Sequence, residues 1–289
     1  MRLLLDTDVG DDIDDAFALA LVQRLPDVEL VGVTTVFRDT TARARMARHL
    51  LDRFGGRDVP VYSGTGKPLG EPLQHTELEP QLTLTPEDVA HASSMHAVDI
   101  IRNTYSAPDN DTTLVTIGPL TNLALALAID PSLAERIPRV VAMGGYIGRA
   151  SPEWNIRCDA IAAAIVLGAG LPLTLVPLDV TLATRMRQEH IDALRAVDSD
   201  QMRSLMVLLD AWYGRTQHLP VLHDPLAVAV AVEPGWVETE PLALDVVTAR
   251  GPEQGITFVV QDQRRPADAA LRVDGPGFVD WFTEQLTRA

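Results

Sequence analysis

The sequence predicts an α/β protein with an open, mostly parallel (mixed) sheet that carries helices on both faces. Three observations lead to this fold class. Short runs rich in Val, Leu and Ile alternate with helical patterns through the first 180 residues, which indicates repeated β-α-β units. These runs are apolar along nearly their whole length, as expected for strands that are buried on both faces. Turn residues such as Gly55-Gly56 and Asp130-Pro131 separate the segments.

The elements follow one another in a regular order in this part of the chain. The expected strands are 3–5, 29–36, 59–62, 112–117, 139–143 and 173–178. The expected helices are 16–25, 41–54, 95–105, 121–128 and 159–167. Arg43, Arg45 and Arg48 are expected to form a solvated face of the second helix. Strands joined through helices need crossover connections, so the sheet is expected to be largely parallel.

The pattern changes after Thr181. Helices are expected at 187–197, at 200–213 and from Asp224 onward. Strands are then expected at 242–248, 257–260 and 271–273, before a last helix at 276–286. No Gly/Ser-rich linker divides the chain. We therefore expect residues 1–289 to form a single domain with a helical insertion at about 182–223.

The charge and the cysteine content narrow the possible partners and the location. The chain carries 40 acidic and 24 basic residues, a formal net charge of −16. Nucleic acids and anionic membrane surfaces need a basic face, so neither is an expected partner. Glycines and prolines interrupt the longest apolar stretch, 160–178, so no membrane span is expected. The single cysteine, Cys158, allows no disulfide framework, which favours a cytoplasmic location.

The densest acidic segment directly follows the first expected strand. The six aspartates within residues 6–15 are Asp6, Asp8, Asp11, Asp12, Asp14 and Asp15. Ligands of open parallel sheets bind at the carboxyl ends of strands, and like charges this close are costly unless a cation joins them. Oxygen ligands without cysteine favour a hard ion, Ca²⁺ or Mg²⁺. The sequence therefore predicts a metal site at this edge of the sheet.

Two interpretations of the segment meet difficulties. An EF-hand loop would need its last acidic ligand at the position of Phe17. A Mg²⁺-dependent phosphatase similar to the haloacid dehalogenases is suggested by Asp6-Thr7-Asp8-Val9, which resembles their nucleophile motif. That family also needs a lysine after a later strand, and the single lysine, Lys67, is poorly placed for this role.

A third interpretation accounts for more of the chain. The acidic run resembles the aspartate cluster of the nucleoside hydrolase family, the inosine-uridine-preferring nucleoside N-ribohydrolases. Further segments resemble motifs of that family in the same order, namely 33–36, 117–122, 143–145, 153–155 and 223–225. The resemblance spans residues 3–225. It implies the family's Rossmann-like fold and its reaction, the hydrolysis of the N-glycosidic bond of ribonucleosides with a bound Ca²⁺ ion.

The resemblance also implies roles for individual residues. The carboxylates of Asp8, Asp15 and Asp224 and the backbone carbonyl of Ile117 would bind Ca²⁺. Asp14 would be the general base that activates the attacking water. The remaining catalytic candidate is His223, as the acid that protonates the departing base.

Substrate contacts are implied in the same way. Glu153, Asn155, Asp14 and Asp224 would hold the ribose hydroxyls, and Asp39, where many relatives carry asparagine, would join them. Three residues separate Gly10 from Asp14 where the family usually has one, which makes Asp12 an additional candidate ligand. The further candidates for the site are Asp6, Asp12, Met143, His218 and Trp212, the last as an aromatic that stacks on the base.

Three functional hypotheses follow from these patterns. The first is a calcium-dependent ribonucleoside hydrolase whose small-molecule partner is a nucleoside and which, by resemblance, forms a homodimer or homotetramer. The second is a non-catalytic ribose- or nucleoside-binding protein with the same pocket. The third is the Mg²⁺ phosphatase, with Asp6 as the nucleophile. The motifs leave the preferred base open.

Overall fold

The computed structural model describes residues 1–71, 81–85, 93–107, 109–261 and 265–288. The strands are β1 (Arg2–Thr7), β2 (Glu29–Thr35), β3 (Val61–Ser63), β4 (Thr113–Thr116), β5 (Val140–Met143), β6 (Leu173–Val176), β7 (Val237–Leu242), β8 (Leu244–Val246), β9 (Thr257–Val259) and β10 (Ala267–Val273). Eight of them form one sheet in the order β3-β2-β1-β4-β5-β6-β10-β7. Neighbouring strands pair in parallel, except that β7 is antiparallel to β10. This confirms the predicted α/β fold with an open, mostly parallel mixed sheet.

Helices cover both faces of this sheet. They are α1 (Asp14–Val22), α2 (Thr40–Phe54), α3 (Ala97–Thr104), α4 (Thr121–Ile129), α5 (Leu133–Arg136), α6 (Trp154–Cys158), α7 (Ala160–Gly168), α8 (Leu178–Thr181), α9 (Gln188–Arg195), α10 (Asp200–Thr216), α11 (His223–Val232) and α12 (Gly275–Thr287). Leu3 and Leu5 belong to a core shared with α1, α2 and α9–α12, whereas Leu4 belongs to the core shared with α3, α4 and α7. Successive strand residues point to opposite faces, which is why the strand sequences are apolar throughout.

Most predicted elements lie within three residues of their observed bounds, and each exception has a local cause. Strand β7 was missed because its central residues are exposed at the sheet edge, so no apolar run marks it. Strand β10 begins four residues before the predicted strand, because an alanine-rich sequence is more typical of helix. The short helices α5, α6 and α8 were also missed. Segments of four or five residues are too short to show a helical period.

The expectation of a solvated arginine face on α2 is wrong. Arg43 is fully buried and Arg48 nearly so, while Arg45 is partly exposed. Helix α2 packs against β2 and β3 on one side and α10 on the other. The two buried guanidinium groups therefore bind backbone carbonyls, with Arg43 donating to Phe37 (2.7 Å) and Arg48 to Gly56 (2.6 Å).

The register of the sheet aligns the strand ends that carry polar residues. Asp6 on β1 pairs with Thr34 on β2 and with Thr116 on β4. The carboxyl ends of these three strands are therefore level. Helices α1 and α11, which pack against each other, both begin at this edge.

The C-terminal half extends the same sheet, since β10 pairs with β6 and β7 with β10. We propose on this basis that residues 1–289 form a single domain. The predicted insertion, 182–223, contains α9 and α10, which pack against α12 and α2. Among the described residues, no helix is both long and apolar enough to span a lipid bilayer.

Candidate active site

A cavity of about 280 Å³ opens at the carboxyl edge of the sheet, where β1, β4 and β5 end. Most of its polar lining consists of carboxylates. The lining residues are Asp8, Asp11, Asp12, Asp14, Asp15, Ile117, Met143, Glu153, Trp154, Asn155, Leu178, Arg215, His223 and Asp224. The fold thus brings together residues from five of the segments that the sequence singled out, namely 6–15, 117–122, 143–145, 153–155 and 223–225.

Three carboxylates in this cavity come from two helix N-termini. Asp14 and Asp15 lie in the first turn of α1, and Asp224 lies in the first turn of α11. One carboxylate oxygen from each residue lies within 4.8 Å of the other two. The positive ends of the helix dipoles favour negative charge here. This arrangement can hold a metal ion.

Burial and mutual repulsion disfavour this cluster as a set of free anions. Burial first, and then neighbouring aspartates, raises the pKa of Asp14 and Asp224 well above the ordinary range. Burial and the charge of Asp15 raise the pKa of Asp8 in the same way, although Arg43 opposes this. Burial raises the pKa of Asp15 to about 7. A cation would relieve the repulsion, so these buried oxygens fit a hard divalent ion.

The end of β1 fixes one of the cluster's carboxylates. Thr7 donates from Oγ1 to Oδ1 of Asp15 at 2.5 Å, and the same Oγ1 accepts from the backbone N–H of Val9 at 3.1 Å. One oxygen of Asp15 is therefore held by the strand end. The other can face a ligand in the cavity.

Asn155 and Glu153 form a preorganised wall. The side-chain Nδ2 of Asn155 donates to the carbonyl of Ile117 at 2.9 Å. A carbonyl oxygen has two lone pairs, so that of Ile117 retains one for another partner. The carboxylate of Glu153, only 3% exposed, accepts backbone N–H groups of Gly145 (3.0 Å), Asn155 (2.8 Å) and Ile156 (3.0 Å). These backbone donors fix the orientation of the carboxylate in the cavity wall.

His223 occupies the first position of α11 and lines the same cavity. Its Nδ1 lies 2.7 Å from Oγ1 of Thr181, which restrains the ring. Burial, together with the positive charge of Arg185, lowers the pKa of His223 to about 4. The imidazole is therefore neutral near pH 7 and presents a single N–H donor.

Asp6 does not line the cavity. It is fully buried, and its Oδ1 accepts from Oγ1 of Thr34 (2.6 Å) and Nδ2 of Asn122 (2.8 Å). Its Oδ2 has no hydrogen-bond partner among the described residues. Lys67 is exposed. A buried Asp6 outside the cavity is in the wrong place for a phosphatase nucleophile.

Three other candidates also lie outside the cavity. Asp39 is exposed and caps α2, where its carboxylate accepts the backbone N–H of Ala42 at 2.9 Å. His218 is exposed just beyond α10. Trp212 points into the hydrophobic core from α10 and is 6% exposed. Asp39 is held by its capping role, Trp212 lies on the buried side of α10, and His218 follows the left-handed residue Gln217 that ends this helix. Of the remaining candidates, Asp12 and Met143 do line the cavity.

Some residues at the site had been given no role there by sequence reasoning. These are Asp11, Arg43, Trp154, Leu178 and Arg215. Arg43 could have been found, because it shares with Met46 and Leu50 the helical spacing of a buried stripe. Arg215 belongs to the distant α10 and reaches the cavity only through tertiary packing, so no local pattern identifies it.

Solved structures of nucleoside hydrolases have this architecture. A purine-preferring ribonucleoside hydrolase from Gardnerella vaginalis is similar with a TM-score of 0.88 and 30% identity, over 99% of this chain and 98% of that one. A plant nucleoside hydrolase, PpNRh1, has a TM-score of 0.87 at 24% identity, over 100% of this chain and 99% of that one, and supports the fold alone. The protein is an enzyme of the hydrolase class that acts on N-glycosyl bonds.

Sequence comparison specifies the family. The model for inosine-uridine preferring nucleoside hydrolases matches residues 3–280. The pyrimidine-specific ribonucleoside hydrolase RihA of Shewanella sp. (strain ANA-3) is 32% identical over 305 residues, with 98% of this chain and 95% of the relative covered. The chain belongs to the inosine-uridine preferring nucleoside hydrolase family, which confirms the resemblance seen in the sequence. The names of these relatives include both purine-preferring and pyrimidine-specific enzymes, so they assign no base preference to this chain.

Proposed function

We propose that this protein hydrolyses the N-glycosidic bond of ribonucleosides in a calcium-dependent reaction that releases free base and ribose. The observation that carries the proposal is the convergence of Asp8, Asp14, Asp15 and Asp224 in one cavity with the wall formed by Asn155 and Glu153. Membership of the family supplies the reaction type. The buried, oxygen-only donor set supports a hard metal ion.

The ion that we propose is Ca²⁺, held by the carboxylates of Asp8, Asp15 and Asp224 and the carbonyl of Ile117. Ca²⁺ accepts many oxygen ligands in a flexible geometry, which suits donors that come from three separate segments of the chain. When bound, the ion would neutralise part of the cluster's charge and lower the pKa of a coordinated water.

Asp14 is the residue that we propose as the general base. One of its oxygens lies within 4.8 Å of oxygens of Asp15 and Asp224, so it adjoins the proposed metal ligands. Burial and the neighbouring aspartates raise its pKa. Burial, the larger cause, favours a carboxylate that accepts a proton more readily than an exposed aspartate, which suits a group that takes a proton from the attacking water.

The same cavity suits the charge that develops on the sugar. Cleavage of a glycosidic bond builds oxocarbenium-like positive charge on the ribose. Carboxylates held in a buried site stabilise that charge as it forms. We propose that Glu153 and Asn155 hold the ribose hydroxyls, because backbone hydrogen bonds fix the first and the Ile117 carbonyl fixes the second.

The departing base gains negative charge unless it meets a donor. His223 lines the cavity and is neutral near pH 7 in this structure, so we propose that it offers the base its N–H. Trp154, which is 40% exposed at the cavity, offers an aromatic surface that can pack against a base.

A nucleoside panel tests the proposal. The purified protein is incubated with purine and pyrimidine ribonucleosides, and released reducing sugar is measured with and without a chelator. We expect hydrolysis that the chelator removes and added Ca²⁺ restores. Asp14→Asn should lower kcat by about 10²- to 10⁴-fold while retaining ribose binding. Asp99→Asn, an exposed carboxylate on α3, is the matched control and should retain activity.

Two outcomes would contradict the proposal. Hydrolysis that continues in the presence of the chelator would show that the reaction does not need a metal ion. Tight binding of ribose compounds without turnover of any nucleoside would support a binding protein instead.

The proposed assembly rests on the sequence resemblance, and the proposed location rests on the cysteine content. We propose a homodimer or homotetramer, which light scattering on the purified protein tests directly. We also propose a cytoplasmic location, with which the single, buried Cys158 is compatible. Fractionation of the source cells tests it.

A further inference from the structure

Arg43 is a fully buried arginine behind the acidic loop that joins β1 to α1. From α2, its Nε donates to the carbonyl of Phe37 at 2.7 Å, and its Nη1 donates to the carbonyls of Asp8 and, at 3.0 Å, Val9. Its Nη2 lies 3.2 Å from Oδ2 of Asp11. One side chain therefore binds both the loop that carries Asp8 and the loop that follows β2.

The loop after β2 is built to meet this arginine. Phe37 and Arg38 both adopt left-handed backbone conformations, with φ of 70° and 57°. Non-glycine residues hold such conformations only where the surrounding structure imposes them. Arg38 then places its Nη1 3.6 Å from Oδ1 of Asp11. The carboxylate of Asp11 thus lies against two guanidinium groups.

These contacts separate the acidic residues of the loop into two kinds. All five aspartates of the loop line the cavity, but Asp11 directs its two carboxylate oxygens at the arginines, whereas Asp14 and Asp15 cluster with Asp224. Arg43 binds the backbone carbonyls of Asp8 and Val9 and so restricts the backbone of the loop. A fixed backbone at Asp8 fixes the direction in which its side chain leaves the chain.

We propose that Arg43 is a positioning residue for the metal-binding carboxylates, and that Asp11 is its ion-pair partner rather than a metal ligand. Together they hold the β1–α1 loop so that Asp8 faces the cavity. The inference rests on the proposed function, because it takes Asp8, Asp15 and Asp224 as the Ca²⁺ ligands. A planar guanidinium can bind several acceptors in fixed directions, whereas an ammonium acts as a single point charge.

Calcium binding to Arg43 variants tests positioning against charge. Arg43→Lys keeps the charge and loses the fork of donors, whereas Arg43→Met loses both. We expect each to raise the Kd for Ca²⁺ by about 10- to 100-fold, as for other residues that orient metal ligands. Isothermal titration calorimetry with Ca²⁺ alone measures this without an activity assay. A normal Kd for Arg43→Lys would show that charge alone matters and would overturn the proposal.

Arg48 provides a matched control on the same helix. Its guanidinium also donates to two backbone carbonyls, those of Gly56 and Val59, and pairs with Asp52 at 2.9 Å. These contacts lie away from the cavity. Arg48→Met and Arg43→Met should therefore both lower thermal stability, but Arg48→Met should keep the Kd for Ca²⁺ within about twofold of the unsubstituted protein. Equal losses of affinity in both variants would indicate general destabilisation and overturn the inference.

A double-mutant cycle tests the role given to Asp11. Asp11→Asn leaves the buried guanidinium in place, so this variant can be measured even if the Arg43 variants do not fold. An unchanged Kd for Ca²⁺ in Asp11→Asn would overturn the inference. If Asp11 acts through Arg43, Asp11→Asn raises this Kd in the unsubstituted protein but adds little in Arg43→Lys. Equal effects in both backgrounds would make Asp11 a direct contributor and overturn the inference.

The failure of this inference and that of the proposed function give different results. If the unsubstituted protein binds no Ca²⁺, the proposed metal site is wrong and the inference falls with it. If it binds Ca²⁺ and the Arg43 variants bind equally well, only the inference is wrong.

Discussion

Asp6 makes the metal-free protein sensitive to pH in a way that a single substitution can isolate. Its carboxyl is fully buried, and burial raises its pKa from 3.8 to about 7 despite the hydrogen bonds from Thr34 and Asn122. Between these two values the native state keeps the proton that the unfolded state loses. The contribution of Asp6 to stability is therefore fully present below pH 3.8 and is lost as the pH rises through about 7.

The size of the effect follows from the width of this interval. Each unit of pH within it changes the free energy of unfolding by about 1.4 kcal/mol per proton. From pH 5 to pH 7 the native protein should therefore lose about 2–3 kcal/mol through Asp6. Asp6→Asn has nearly the same shape and no titrating proton, so it should lack this part of the pH dependence.

Urea unfolding of both proteins at pH 5 and pH 7, in the presence of a chelator, measures the effect. At pH 5, the difference in the free energy of unfolding between the two proteins reports the structural cost of the substitution. The change in this difference from pH 5 to pH 7 reports the titration of Asp6. All other acidic residues are shared and cancel to first order. If the two pH dependences agree within about 0.5 kcal/mol, near the error of such extrapolations, the account of Asp6 is refuted.

Three further predictions concern the metal, the cap of α2 and the departing base. Ca²⁺ at about 100 times its Kd should raise the free energy of unfolding by about 2.7 kcal/mol; an unchanged urea midpoint would contradict a native metal site. Asp39→Ala should lower the free energy of unfolding by about 1 kcal/mol through loss of a helix cap and leave kcat/KM unchanged. A tenfold loss of kcat/KM would instead show that Asp39 contributes to the active site. His223→Ala should lower kcat for nucleosides by about 10²-fold and spare p-nitrophenyl riboside, whose leaving group needs no proton; equal losses on both substrates would argue against the role given to His223.

The parts of the site that lie next to a strand end could be predicted from the sequence. Asp8, Asp14 and Asp15 follow an apolar strand directly and precede a helix, so local spacing already indicates the edge at which they lie. Ile117 and Asp224 were located through motif resemblance, and both line the cavity. For these residues, the chain immediately around them decides the position.

The residues that were misplaced depend on packing between distant elements. Trp212 and Arg215 are three residues apart on α10, yet the first is buried in the core and the second lines the cavity. The two lie on the same side of the helix, but Arg215 stands almost one turn nearer its end, and its long side chain reaches the β1–α1 loop, where it donates to the carbonyl of Asp11 at 3.1 Å. Arg43 was assigned to the surface because arginine is usually exposed. Its spacing with Met46 and Leu50 indicates a buried stripe, but the carbonyls that its guanidinium binds become clear only from the packing of the loops around it.

The meeting of α1 and α11 links the chemistry of the site to the folding of the whole sheet. Asp14 and Asp15 stand near the start of the chain and Asp224 near its last quarter, so the cluster exists only after the intervening strands have assembled. Local opening at either helix would disperse all three carboxylates at once. Amide hydrogens of α1 and α11 should therefore exchange together, as one cooperative unit, and slow together when the metal binds.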